Sequence, residues 1–191
     1  MYLLTEISFS SEFFIYILDL FGTVAFAITG VAGGTIRDVV LGRVPNSIVD
    51  PTYVVVTIAS GIVIFFLYSH LKKHWNLFLK FDAIGLGVFT IIGATFAYNI
   101  FGLNFLAILL AGILTAVGGG ILRDVFVNQS PIVFIKEFYL SASFIGIVIF
   151  SIILYFTDEI YYATIIGIIL TTSLRLIGIK YNWNLPRARE S

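Results

Sequence analysis

The sequence predicts an all-α membrane protein, a polytopic helical bundle, and three observations predict it. Hydrophobic residues make up 59% of the 191-residue chain and charged residues 12%, where about 25% charged is usual for a globular domain. Mean hydropathy is +1.04, too apolar for a water-soluble fold to cover its own core. The few charges are clustered, leaving neutral runs at 20–36, 51–69, 83–122, 138–157 and 160–174. A net charge of +0 with no basic tract argues against a nucleic-acid module. The chain has no cysteine, which excludes a disulfide scaffold, thiolate metal sites and cysteine nucleophiles. A β-barrel would need a polar lumen face alternating through every run, and the runs lack one.

Taken in order, the runs give six segments, at about 13–36, 51–70, 81–98, 104–127, 132–156 and 160–180. Each approaches the roughly 20 apolar residues that cross a bilayer core of about 30 Å. The neutral run 83–122 is long enough for two crossings. Its turn is expected at Tyr98–Asn104, where Asn99, Gly102 and Asn104 are turn formers. The N-terminus carries Glu6 and Glu12 and no early basic residue, unlike a signal peptide, so the first segment is expected to remain.

Basic residues set the orientation. Lys72, Lys73 and Lys80, then Arg123 and Lys136, then Arg187 and Arg189 form three clusters that alternate correctly if all are cytoplasmic. Counting back through six segments puts the acidic N-terminus inside as well, and Arg37 and Arg43 outside. One extra crossing near residue 31 is expected to repair both.

An internal repeat points to the same place. Ala32-Gly33-Gly34-Thr35-Ile36-Arg37-Asp38-Val39 and Gly118-Gly119-Gly120-Ile121-Leu122-Arg123-Asp124-Val125 match at an offset of 86, each followed by a proline, Pro45 and Pro131. A weaker echo sets Asp19-x-x-Gly22 against Asp82-x-x-Gly85 at an offset of 63, so copy one is short by 23 residues. Restoring them gives three helices per repeat. An odd number makes the repeats inverted across the membrane. The expected organisation is a first repeat at 1–80 that lacks this stretch, a second at 81–157, and a last helix with a cytoplasmic tail at 158–191.

At these residues the sequence resembles the bacterial and archaeal branch of the trimeric intracellular cation (TRIC) channels. Asp-x-x-Gly-x-x-Ala-Phe-Ala-x-x-Gly at 19–30, Asp82-Ala-Ile-Gly-Leu-Gly-Val-Phe, and above all the doubled Gly-Gly-x-x-Arg-Asp-Val carry the resemblance. It implies seven helices, two inverted repeats plus one, against six visible here. It also implies a homotrimer in the cell membrane, with one pore per subunit conducting potassium and other monovalent cations, and no cofactor beyond the permeant ion. The same domain has carried a glycine-transporter label, so a secondary transporter of a small zwitterion stays open.

The residues themselves support a site. Ionisable groups within spans are costly and usually face a cavity and pair, which singles out Arg37, Asp38, Arg123 and Asp124. Gly33, Gly34, Gly118, Gly119 and Gly120 either pack helices closely or break them, freeing carbonyls for a cation; beside the Arg-Asp pairs, a break near Gly118–Gly120 is expected. Asp19 and Asp82 fit helix starts, favoured by the dipole, or the ion path. Neighbouring Arg and Asp point apart on a helix, so crossed pairs, Arg37 with Asp124 and Arg123 with Asp38, are expected. Arg175 is expected to snorkel, and His70 and His74 to be interfacial. No nucleophile elbow, zinc-protease motif or phosphate loop is present, so an enzyme is not expected.

Overall fold

The computed structural model describes residues 29–73, 75–126, 138–181 and 183. They form seven helices and no strand among the described residues. Helix α1 runs over 29–40, α2 over Asn46–Val49, α3 over Thr52–Lys73, α4 over Trp75–Phe101, α5 over Phe105–Phe126, α6 over Phe138–Thr157 and α7 over Ile160–Tyr181. Four stretches are long and apolar enough to span a membrane, at Leu79–Phe101, Phe105–Leu122, Phe138–Thr157 and Ile160–Tyr181. The first 28 residues, 127–137 and the C-terminal tail lie outside the described residues, as do Asp19 and His74.

Helix boundaries follow local chemistry. The α4–α5 turn comes at 102–104, where Gly102 takes φ +59° and the Asn104 carboxamide accepts the Ala107 N–H at 3.2 Å, the N-cap arrangement. Helix α4 begins at Trp75, earlier than the charge pattern suggests, because Lys80 and Asp82 are carried within it. Asp82 is therefore seven residues inside a helix, and the expected role at a helix start is corrected.

The core is a four-helix packing of α4, α5, α6 and α7. Ile91, Ala94 and Ala97 of α4, Ile108 and Ala111 of α5, Ile147, Phe150 and Leu154 of α6, and Ala163 of α7 are buried together. Small residues set the spacing. A Cβ on Gly93 would run into the Ala111 carbonyl of α5, which is why α4 and α5 pack so closely. Thr90 donates to Ser143 at 3.0 Å between α4 and α6. Helix α3 packs little against α4–α7, touches α1 where Thr57 meets Gly30, and exposes Val55, Ile58, Ile62 and Phe66.

The Tyr98 hydroxyl donates to Asp158 at 3.1 Å, so the α4–α5 and α6–α7 turns share one end of the bundle. Lys73 and Lys80 are at the other. The guanidinium carbons of Arg37 and Arg43 lie 4.0 and 5.3 Å from the Phe96 ring centroid, five residues before the end of α4. The 37–43 stretch therefore belongs to the Tyr98 end. An added crossing upstream would move the N-terminus but not this connection, so that half of the expected repair is corrected. The Phe96 ring stands beside both arginines, a cation–π contact that offsets part of the cost of their position.

A charged cavity as the candidate functional site

Helix α1 crosses α5 through the two glycine motifs. A Cβ on Gly33 would collide with the Thr115 carbonyl oxygen, and one on Gly119 with the Thr29 carbonyl oxygen. Gly118 lies with the Gly33 Cα and the Ile36 Cδ1 each 3.2 Å from where its own Cβ would be. Both helices run unbroken through these glycines. The expected break at Gly118–Gly120 is thus corrected. Missing side chains serve close backbone approach here, and the helical hydrogen bonds that lipid could not replace are retained.

The same motifs border a cavity of about 1030 Å³, lined by Gly33, Gly34, Gly119 and Gly120, and Gly120 has nothing within 4 Å of its would-be Cβ. The cavity lies among α1, α3, α4 and α5 and reaches Tyr139 of α6 and Arg175 of α7. Its described ionisable lining comprises Asp38, Asp50, Asp82 and Asp124 against Arg37 and Arg175, so carboxylates outnumber guanidinium groups.

At one end, α1 ends at residue 40, Gly42 just beyond takes φ +70°, and the Arg43 N–H donates back to the Asp38 carbonyl at 2.8 Å. This reversal places the Asn46 N–H 3.0 Å from Asp38 Oδ2. The other oxygen, Oδ1, accepts Arg37 Nε at 2.9 Å and lies 2.8 Å from Nη2. Both residues are buried, Arg37 to 6% and Asp38 to 1% exposure. Arg37 and Asp38 therefore pair with each other, correcting the expectation that neighbours point too far apart. At the last turn of a helix a long guanidinium stem bends back to its neighbour, while Phe96 supports its face. Asp50 stands outside the spans. Hydrogen bonds from the Thr52 side chain and N–H hold its carboxyl below its usual 3.8.

At the other end are Asp82, Asp124, Tyr139 and Arg175. Asp124 is 3% exposed and engaged, and Asp82 is half-buried. Arg123 lies on α5, its side chain outside the described residues, so the crossed pair of Arg123 with Asp38 lies there too. Arg175 does not snorkel: it is 3% exposed, 4.7 Å from the Tyr139 ring centroid. The signal that could have found it is the spacing Ala163, Gly167, Thr171, Arg175, the buried face of α7. A residue in register with a stripe of small packing residues is turned inward with them.

Continuous apolar helices around a cavity whose described lining holds more carboxylates than guanidinium groups define a multi-pass α-helical membrane protein with a polar interior. The family model described as Glycine transporter matches residues 16–69 and 79–155, and the chain belongs to the UPF0126 membrane proteins and to the TRIC family. The UPF0126 inner membrane protein YadS of Escherichia coli K12 is 32% identical over 198 positions, covering 90% of this chain and 95% of that protein. YvgT of Bacillus subtilis is 31% identical, covering 88% and 83%. A structure described as the basis for conductance through TRIC cation channels superposes with a TM-score of 0.77 at 28% identity, covering 92% of this chain and 97% of that one. The TRIC orthologue from Rhodobacter sphaeroides gives 0.75 at 28%, covering 88% and 98%. The protein is a multi-pass protein of the cell membrane.

Proposed function

We propose that this chain is a potassium-permeable monovalent cation channel, one pore per subunit of a homotrimer, with the path running through the acidic cavity. The excess of carboxylates over guanidinium groups among the described lining residues carries the reading, because a cleft with a net charge of one sign and low-dielectric walls concentrates counter-ions of the other. Asp38 and Arg37 flank the path at one end and Asp82 and Asp124 at the other. Gly34 and Gly120 leave the width between them, with Gly33, Gly118 and Gly119 holding α1 against α5; the Arg123 side chain and Asp19, the other expected members of the site, lie outside the described residues. The likeness to TRIC channel structures supports the same function. No bond is made or broken in this reading, and the permeant ion is the only ligand it requires.

The first repeat is short of the second by about one turn and most of a helix. The two stretches matched by the family model differ by 23 residues in length. The alignment to the E. coli protein spreads 90% of 191 residues over 198 positions, so about 26 of those positions have no counterpart here. Both differences support a stretch missing from this chain, and the first places it within the first repeat.

A secondary transporter of a small zwitterion such as glycine is the second reading, favoured by the family model's description and by a cavity that holds arginine and aspartate together. Recording from the purified protein in a planar bilayer with potassium on both sides separates them. Steps of fixed unitary conductance support the channel. Saturable glycine uptake into proteoliposomes without such steps supports the transporter.

A further inference from the structure

Among the described residues two arginines line the cavity, and they are held in different ways. Arg37 is tied to Asp38 through Nε and Nη2. Arg175 is as deeply buried, yet its Nε and Nη2 have no hydrogen-bond partner. These two atoms form one edge of the guanidinium, the edge that elsewhere grips a carboxylate with two parallel bonds. An arginine does not shed its proton in a protein, so the charge persists in the apolar bundle. Near it are the ring of Tyr139, 4.7 Å from its carbon, and Asp82, which lines the same cavity from α4 and attracts it electrostatically. Neither attraction fixes a direction as a hydrogen bond would.

Asp82 is seven residues from the start of α4, Asp124 two from the end of α5, Tyr139 one from the start of α6, and Arg175 six from the end of α7. All four therefore stand at the Lys80 end of the cavity, opposite the Arg37–Asp38 pair. A cation arriving at this end meets carboxylates already in the field of a tethered cation. We propose that Arg175 is a selectivity-setting residue, a built-in cation that competes with permeant cations for Asp82 at the Lys80 end of the cavity. This rests on the channel reading for its consequence in conduction. Its electrostatic core, competition for one carboxylate, stands apart from that reading.

The test uses the full chain in bilayers, with Arg175→Gln as the neutral near-isostere. Removing one positive charge that shares a carboxylate with a bound cation in a partly wet cavity raises the cation's occupancy about fivefold. Arg175→Gln should raise the potassium-to-chloride permeability ratio by about that factor. Arg175→Lys, which keeps the charge, should show less than half of the rise, and Asp82→Asn should lower the ratio. An unchanged or lowered ratio in Arg175→Gln overturns the proposal. Where Arg175→Gln fails to fold, Arg175→Gln/Asp82→Asn is compared with Asp82→Asn alone, and a ratio raised by losing the arginine even without Asp82 overturns competition for that carboxylate. A wild type that passes no cation defeats the channel reading instead. The melting temperature of the detergent-solubilised protein in potassium chloride against choline chloride then decides the matter, with a larger potassium-specific increase expected in Arg175→Gln and an equal one in both proteins counting against it.

Discussion

Gly33 and Gly119 exchange the same contact in both directions. Each lacks the Cβ that would strike the carbonyl oxygen of a threonine four residues before the other, Thr115 for Gly33 and Thr29 for Gly119. Thr29 and Thr115, like Gly33 and Gly119, are 86 residues apart. The repeat offset is thus also the operation that exchanges α1 with α5 at their crossing, the relationship expected of two copies packed about a pseudo-two-fold axis.

That contact sets the first prediction. Gly33→Ala and Gly119→Ala each force backbone apart from backbone, and should destabilise the protein by about 1–3 kcal/mol, the usual range for overpacking. Because both changes open the same crossing, the double variant should cost less than the sum. Gly120→Ala meets open space, so it should leave folding intact while narrowing the cavity and lowering unitary conductance. Unfolding in mixed micelles, followed by tryptophan fluorescence, gives the energies. Equal stability of Gly33→Ala and wild type would remove the glycines from the crossing.

The Arg37–Asp38 pair sets the second. Asp38→Asn keeps an oxygen for the Asn46 N–H but leaves Arg37 buried without its counter-charge, which should cost about 3–5 kcal/mol. Arg37→Gln/Asp38→Asn removes both charges and should recover much of the loss. Single effects that simply add would show that the two side chains do not stabilise each other.

Much of this architecture was legible in the sequence, and the reason is chemical. Neutral runs between charge clusters locate helices because charge is what lipid excludes, and turn residues such as Gly102 and Asn104 mark where the backbone reverses. The glycine motifs and aspartates were also legible as a group, since charge and flexibility inside a span need a cavity or a close neighbour. Their individual roles were not. A glycine triplet reads the same whether it breaks a helix or admits another backbone, and only the opposing Thr29 and Thr115 carbonyls decide for packing. Arg37 and Asp38 look divergent on an ideal helix, but the reversal at Gly42 and the Phe96 ring, 59 and 58 residues away from them, bring them together. Arg175 reads as a helix-end residue by position and as a core residue by its four-residue register.

Asp50 gives a dependence on pH. Its folded pKa is depressed by the Thr52 side chain and N–H, so its support for the first turn of α3 is complete above the unfolded value of 3.8 and lost as pH falls through the lower folded one. Hydrogen exchange at the Thr52 and Tyr53 amides, corrected for intrinsic rates, should stay protected down to roughly pH 4 and loosen below it. In Asp50→Ala the loosening should be present at neutral pH and independent of acid. Protection lost already near pH 6 in the wild type, about two units above 3.8, would assign the effect to another group.

The last prediction concerns sidedness, and the chain suits it because it contains no cysteine, so a single introduced thiol reports alone. The Tyr98–Asp158 hydrogen bond puts the 102–104 and 158–159 turns at one end of the bundle. The first is neutral and the second holds Asp158 and Glu159. The opposite end carries Lys73 and Lys80, with Lys180 in the last turn of α7. Positive charge is retained on the cytoplasmic side during insertion, so the lysine end should be cytoplasmic and the turns external. Arg37 and Arg43 oppose this bias, but Asp38 and Phe96 hold them. Thiols at Leu103 and Glu159 should react with an impermeant maleimide in intact cells, and a thiol at Ser191 only after the membrane is opened. Labelling of Leu103 and Glu159 from opposite sides would contradict the hydrogen bond itself, whereas reversal of all three would leave the fold standing and turn it over in the membrane.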